Sequence, residues 1–114
     1  MARTVLVVDD DPLVLEVTAA MLDDLGCDVV TASTGKQALE LLFAHQRIEI
    51  LITDVNMPVM GGHELVERAK RLRKQLQVIL LSGRETDDHR YPLIRKPFRE
   101  CDLVNTMKLT TGLC

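Results

Sequence analysis

The residues that decide the fold are TVLVVDDDP at positions 4–12. The first five form an unbroken β-branched and aliphatic run, the pattern of a short strand buried on both faces, as in parallel sheets. Three aspartates end the run. Asp11 followed by Pro12 indicates a helix start, because the carboxylate can cap free backbone N–H groups and proline fits the first helical turn. The stretch therefore predicts a buried strand that leads directly into a helix.

The same order of strand and helix repeats along the chain. Further strands are predicted at residues 28–32 (DVVTA), 49–53 (EILIT), 77–81 (QVILL) and 93–95. Helices are predicted from residue 12 to about 25, from a cap at Ser33 or Thr34 to residue 45, from 63 to about 73 and from 99 to about 109. Strands joined by helices indicate an α/β fold, a doubly wound five-stranded parallel sheet with helices on both faces. A length of 114 residues favours one domain, residues 1–114.

Composition excludes several classes of partner. The net charge is −3 and the basic residues are dispersed, so no positive stripe is available for direct nucleic-acid binding. The longest apolar runs fall short of the ~20 residues that cross a bilayer, so membrane insertion of this segment is not expected. The three cysteines lack the close pairs that hold zinc, and no signal segment precedes them. We expect a cytoplasmic protein with reduced thiols.

Reactive side chains follow the predicted strands. Asp9 and Asp10 come after the first strand, Asp54 after the third, Ser82 after the fourth and Lys96 after the fifth. Parallel sheets of this class bind ligands beyond the carboxyl ends of their strands, where the winding direction reverses. The sequence therefore predicts that these five side chains gather at one end of the sheet.

Such a cluster has a defined chemistry. Three neighbouring carboxylates repel one another unless they retain protons or bind a cation. Mg²⁺ is the natural ligand, since it prefers oxygen donors, which Asp10, Asp54 and a backbone carbonyl after Asp54 can supply. A lysine ammonium and a serine hydroxyl at the same place can bind the oxygens of a phosphoryl group. The pattern indicates a phosphoryl site.

Four motifs occur in this order along the chain: VLVVDDDP (5–12), ITDVNMPVMGG (52–62), VILLSG (78–83) and RKPF (95–98). Together they resemble the response regulator receiver family of two-component signalling, and the resemblance covers nearly the whole chain. It implies a flavodoxin-like receiver fold and a signalling switch. The switch would accept a phosphoryl group from a histidine kinase or phosphotransfer domain and release it by hydrolysis.

The resemblance also implies roles for individual residues. Asp54 would be the phosphoacceptor. Asp10, Asp54 and the Asn56 carbonyl would bind Mg²⁺ directly, with Asp9 assisting through water. Ser82 stands at the family's Ser/Thr switch position and Lys96 at its invariant lysine. The bond between Lys96 and the following proline is expected to be cis.

The chain departs from the family between Ser82 and Lys96, which are only fourteen positions apart. The segment GRETDDHRYP at 83–92 has no apolar pair at helical spacing, so it predicts a loop or at most one helical turn. The fourth helix of the family would then be shortened or missing. Leu93 stands three residues before Lys96, at a position where the family often has Tyr or Phe. A receiver domain with such a short connection is similar to the receiver domains of hybrid histidine kinases.

Two other functions are compatible with parts of the pattern. A small phosphatase of the haloacid dehalogenase type would use Asp9-x-Asp11 with a serine and a lysine. No second acidic pair follows the lysine, however, and Pro12 occupies a position that motif needs. A phosphorylation-independent interaction module is the other alternative, although it would not need the full set of aspartates, serine and lysine.

Overall fold

A five-stranded parallel sheet organises the computed structural model, which describes residues 3–83 and 90–110. The strands are β1 (Thr4–Val8), β2 (Asp28–Ala32), β3 (Ile48–Asp54), β4 (Gln77–Ser82) and β5 (Leu93–Arg95). The helices are α1 (Pro12–Asp24), α2 (Gly35–Ala44), α3 (Gly62–Leu72) and α4 (Glu100–Thr110). Every predicted strand and helix is present, with boundaries that differ by at most one residue. The fold class predicted from the sequence is confirmed.

The strand order is β2-β1-β3-β4-β5, and all four pairs are parallel. The winding direction reverses between β1 and β3, which is where ligands bind in open α/β sheets. Val8 at the end of β1 pairs with Thr53 of β3, and Asp54 pairs with Leu81 of β4. This register aligns the carboxyl ends of the three central strands.

Alternate residues of the central strands face two separate cores. On one face, Leu6 of β1 packs in a cluster with residues of α2 and α3, such as Leu42 and Leu65. On the other face, Val7 belongs to a cluster with residues of α1 and α4, such as Leu22. Burying each of these aliphatic side chains contributes about 1.5–3 kcal/mol, so both helical layers hold the sheet in place.

The helix starts read from the sequence are confirmed. Asp11 Oδ1 accepts hydrogen bonds from the backbone N–H groups of Leu13, at 2.9 Å, and Val14, at 3.5 Å, with proline at the first helical position. Thr34 caps α2, because its Oγ1 accepts from Gln37 N at 3.0 Å. These caps satisfy N–H groups that the first helical turn leaves without partners.

Arg73, just after α3, holds the end of α2 in place. Its guanidinium donates hydrogen bonds to the backbone carbonyls of Leu42, His45, Gln46 and Ile48, the last at 2.8 Å. These carbonyls lie at the end of α2 and the start of β3, where the helix dipole is negative. One side chain therefore fixes the approach to β3, the strand that carries Asp54.

The connection between β4 and β5 agrees with a shortened or missing fourth helix. Four helices occur in the described part of the chain, and Gly83 and residues 90–92 are not helical. Residues 84–89 of the predicted loop lie outside the described residues. Within the ranges 3–83 and 90–110, no helix is long and apolar enough to cross a membrane.

The cysteines differ from the sequence-based expectation of reduced thiols. Cys27 is buried and disulfide-bonded, whereas Cys101 is an exposed free cysteine. The expectation was wrong for Cys27, because spacing along the chain does not report which thiols meet in the fold. Cys114 lies outside the described residues.

Replacing the buried Thr18 of α1 with valine is expected to stabilise the protein. Thr18 is fully buried, and its Oγ1 has no hydrogen-bond partner within the described residues. A buried hydroxyl without a partner costs about 1–3 kcal/mol, and valine has nearly the same shape. We expect Thr18→Val to raise the free energy of unfolding in urea by about 1 kcal/mol.

Thr106→Val is the matched control, because Thr106 Oγ1 donates to the Asp102 carbonyl at 2.9 Å within α4. This substitution removes a made hydrogen bond and should not stabilise. Equal effects of the two substitutions would contradict a penalty specific to Thr18.

Candidate functional site

The predicted side chains gather at the carboxyl edge of the sheet, as the strand register requires. Val8 of β1 pairs with Thr53 of β3, and Asp9 and Asp54 are the residues that follow them. On the far side of β3, Ser82 pairs with Arg95, the residue before Lys96. The carboxyl ends of β1, β3, β4 and β5 thus bring their functional side chains to the same place.

Asp9 is fully buried and is held by three hydrogen bonds. Its backbone N–H donates to the Ala32 carbonyl at 3.2 Å, and its Oδ1 accepts from Asp11 N at 2.9 Å. Its Oδ2 accepts from Lys96 Nζ at 2.7 Å. A buried carboxylate needs such partners, since an unpaired buried charge is very unfavourable. Asp9 therefore fixes the lysine ammonium at this edge.

Asp54 lies beside the same ammonium and is only 5% exposed. Its Oδ2 is 3.3 Å from Lys96 Nζ, and its Oδ1 accepts from the backbone N–H of Asn56 at 3.2 Å. Burial raises the pKa of Asp54; the Lys96 charge and the Asn56 N–H act against this, and the Asp9 charge adds to it. The Asp54 carboxylate is thus largely buried and lies close to a fixed cation.

Lys96 bridges the two buried aspartates. Burial acts to lower the pKa of its ammonium, but the hydrogen bond to Asp9 and the charges of Asp9 and Asp54 exceed this effect and raise the pKa. The side chain is therefore a permanent cation at neutral pH. The bond from Lys96 to Pro97 is cis, as the family resemblance implied.

Asp9, Asp10 and Asp54 form a carboxylate cluster. Each offers one oxygen, and these oxygens lie within 4.8 Å of one another. Asp10 is exposed, whereas the other two are buried, so the cluster opens to solvent on one side. An all-oxygen donor set that is open on one side suits Mg²⁺, which keeps several of its waters. The residues present fit this cation.

Ser82 is buried at the end of β4, and its carbonyl accepts the backbone N–H of Lys96 at 2.8 Å. Asn56, by contrast, is exposed and reaches the site through its backbone N–H. The structure therefore brings all six predicted residues to the same edge: Asp9, Asp10, Asp54, Asn56, Ser82 and Lys96.

The junction between β3 and α3 requires a glycine at position 62, which was not predicted from the sequence. A Cβ at Gly62 would lie 2.3 Å from the Asp54 carbonyl oxygen and 2.8 Å from Val55 Cα. Only glycine permits this approach of α3 to the Asp54 backbone. Val59 in the same loop is fully exposed and has a left-handed φ of 68°, which is strained for a β-branched residue. The consecutive glycines Gly61 and Gly62, at the start of α3, were the feature of the sequence that could have indicated this.

An apolar groove of about 340 Å³ lies next to the site. Leu13 and Val17 of α1 are 67% and 42% exposed along it, and Phe98 forms its other side. The complete lining is Leu13, Val14, Val17, Thr18, Lys96, Pro97 and Phe98. Exposed apolar side chains beside a reactive centre are typical of a protein-binding surface.

Comparison with known proteins agrees with the fold. The response regulator receiver domain pattern matches residues 5–108. The chain is 37% identical to the transcriptional regulatory protein AruR of Pseudomonas aeruginosa, over 95% of this chain and 49% of AruR. It is 31% identical to the autoinducer 1 sensor kinase/phosphatase LuxN of Vibrio campbellii, over 91% of this chain and 11% of LuxN.

A solved structure of the chemotaxis protein CheY4 of Vibrio cholerae has the same fold. Its TM-score with this structure is 0.89 at 28% identity, over 96% of this chain and 99% of CheY4. The family pattern spans the sheet from the second residue of β1 and nearly all of the last helix. The chain belongs to the response regulator receiver domain family.

Proposed function

We propose that this chain is a phosphorylation-dependent signalling switch that accepts a phosphoryl group on Asp54 from the phosphohistidine of a histidine kinase or phosphotransfer domain. The observation that carries the proposal is the Asp54 carboxylate, buried beside the Lys96 ammonium and next to Asp9 and Asp10. A nucleophile, a fixed cation and a metal-binding carboxylate pair are the parts that phosphoryl transfer needs.

In the proposed transfer, an Asp54 carboxylate oxygen attacks phosphorus, the N–P bond of the donor histidine breaks, and the imidazole leaves. The Lys96 ammonium, held by Asp9, donates to a phosphoryl oxygen, and Ser82 donates its hydroxyl to another. In the second step of the cycle, which releases the phosphoryl group, water attacks phosphorus. The bond between phosphorus and Asp54 breaks, inorganic phosphate leaves, and the carboxylate is restored.

Asp10, Asp54 and the Asn56 carbonyl would hold Mg²⁺, with Asp9 acting through water. Bound there, the cation neutralises negative charge on the phosphoryl oxygens. Lys96 and Ser82 would bind the other phosphoryl oxygens, and the sheet edge fixes their positions before the donor arrives. We further propose that all 114 residues form one receiver domain and that this domain is cytoplasmic.

Mg²⁺ is expected to raise the melting temperature of the unphosphorylated protein. A ligand of the native state stabilises by about 2.7 kcal/mol at a hundredfold excess over its Kd, which shifts Tm by on the order of 10 °C for a domain of this size. Asp10→Asn should remove most of the shift. Asp24→Asn, an exposed aspartate at the far end of α1, should retain it. Equal Tm values with Mg²⁺ and with chelator would contradict the metal site.

The apolar groove supports a protein as the phosphodonor. Its lining residue Lys96 also belongs to the site, so an apolar helix seated along α1 would lie beside Asp54. The chain spans 11% of the sensor kinase LuxN and 49% of the regulator AruR, so either kind of parent protein is compatible with a receiver of this length.

Incubation with acetyl phosphate and Mg²⁺ tests the proposal. We expect intact-mass spectrometry to show one added phosphoryl group per chain, labile in base as acyl phosphates are, and dependent on Mg²⁺. A protein that stays unlabelled contradicts the switch. Repeated turnover of p-nitrophenyl phosphate would favour the phosphatase alternative, since a switch transfers its phosphoryl group once per cycle and does not process monoesters.

A further inference from the structure

A second groove, which is basic, lies between α3 and the residues that precede β5. Its volume is about 320 Å³. It is lined by His63, Val66, Glu67, Lys70, Arg71, Lys74, Arg90 and Tyr91. Val66 and Tyr91 belong to the core layer that packs against α2 and α3, so the floor of the groove is partly apolar. None of the described residues between β4 and β5 forms a helix over it.

The charge of this basic groove opposes that of the molecule. Among the described residues, its lining has four Lys or Arg side chains and one carboxylate, a formal charge of +3 with histidine neutral, whereas the whole chain carries −3. The acidic site on Asp9, Asp10 and Asp54 accounts for negative charge at the carboxyl edge. The basic groove is therefore a separate electrostatic feature on the α3 face.

Two of these cations, Lys70 and Arg90, are held in fixed positions. Lys70 Nζ donates to the carbonyls of Lys74 and Leu76 at 2.8 and 2.9 Å, which places its ammonium at the end of α3. Arg90 lies over the Tyr91 ring, with 5.9 Å from its guanidinium carbon to the ring centroid. These two fixed charges contribute to the positive potential of the groove.

Arg71 is paired with Glu67 at 2.8 Å, but both side chains are mostly exposed, at 74% and 67%. An exposed pair of this kind contributes about 0–1 kcal/mol, so a carboxylate of another molecule can replace Glu67 at little cost. Lys74 is exposed and lies in the same lining. These two residues are the cations most available to a ligand.

We propose that the basic groove binds an acidic segment of a partner protein, with carboxylates on Arg71 and Lys74 and an apolar side chain against Val66 and Tyr91. A short acidic peptide matches the small area of positive charge. A nucleic acid or an anionic membrane would also face the remaining surface of a chain with net charge −3, which repels extended polyanions. This surface is independent of the proposed phosphorylation.

Peptide titration of the full chain, followed by NMR of the ¹⁵N-labelled protein, tests the proposal. The probe is the acetylated, amidated peptide EELEELEE, with QQLQQLQQ as the uncharged control peptide. We expect the acidic peptide to change the amide chemical shifts of Val66, Lys74 and Tyr91. The control peptide should not change them. The double variant Arg71→Gln, Lys74→Gln should weaken its binding about fivefold, the effect of losing two exposed ion pairs.

The matched control is Lys36→Gln, Lys108→Gln, which removes the same total charge from exposed positions on α2 and α4. It should change the affinity less than twofold. Equal weakening by both double variants, the absence of binding at millimolar peptide, or shifts centred on another face would overturn the proposal. Tighter binding of a twelve-nucleotide single-stranded DNA than of the peptide would overturn it as well. Circular dichroism of each variant establishes that it is folded.

Discussion

Asp54→Asn is expected to abolish phosphoryl incorporation from acetyl phosphate while leaving the fold intact. The amide has the size of the carboxylate but lacks the nucleophilic oxygen, so the loss should be complete within detection. Burial raises the pKa of Asp54, which means that its ionised form is disfavoured in the folded protein. Removing this charge should therefore leave the protein at least as stable, and Lys96 keeps its 2.7 Å contact with Asp9.

Intact-mass spectrometry gives the stoichiometry, and urea unfolding verifies the fold. Asp24→Asn, which is exposed and distant from the sheet edge, should be labelled like the wild type. Asp54→Asn that still gains a phosphoryl group would place the acceptor on another residue, and the proposed mechanism would fail with it.

Gly62→Ala is expected to cause a larger loss of stability than the same substitution at Gly35 or Gly61. Its Cβ would lie 2.3 Å from the Asp54 carbonyl oxygen, and neither this atom nor Val55 Cα can rotate away. Overpacking of this kind typically costs about 1–3 kcal/mol, and contact with backbone puts this case near the upper end. Because the displaced backbone belongs to Asp54, we also expect slower labelling by acetyl phosphate.

The chain supplies two controls for this prediction. At Gly61 the nearest atom to an added Cβ is the Val55 carbonyl oxygen at 3.4 Å, so Gly61→Ala should cost less than about 1 kcal/mol. At Gly35 the clash is with the flexible Met60 side chain, with Sδ at 2.7 Å, and the cost should be intermediate. Urea unfolding ranks the three variants. Equal costs for Gly61→Ala and Gly62→Ala would refute the close approach.

Short-range patterns in the sequence were sufficient for the fold. The bounds of β1, β2 and β5 are those predicted, and β3 differs by one residue at each end, at Ile48 and Asp54. Buried strands appear as unbroken aliphatic runs, and helix starts appear as capping residues, so each element could be recognised without its neighbours. The alternation of strands and helices then left one common architecture.

The sequence by itself determined which residues lie at the carboxyl edge, since each follows a predicted strand. Only the tertiary structure decided how they meet. Lys96 Nζ reaches Asp9 across 87 positions of sequence, and this contact depends on the register of four strands. Periodicity fixes which face a side chain takes but contains no information on the distance to a residue far along the chain.

The same reason accounts for the features that the sequence analysis did not predict. The Gly62 approach to Asp54, the hydrogen bonds of Arg73 to the end of α2, and the unsatisfied hydroxyl of Thr18 all arise where two packed elements meet. Local sequence sets the conformation of each element, whereas side-chain volume and the positions of backbone carbonyls at the interfaces set what each residue contacts. For this chain, the sequence determined the elements and the reactive residues, and packing determined the geometry that makes them a site.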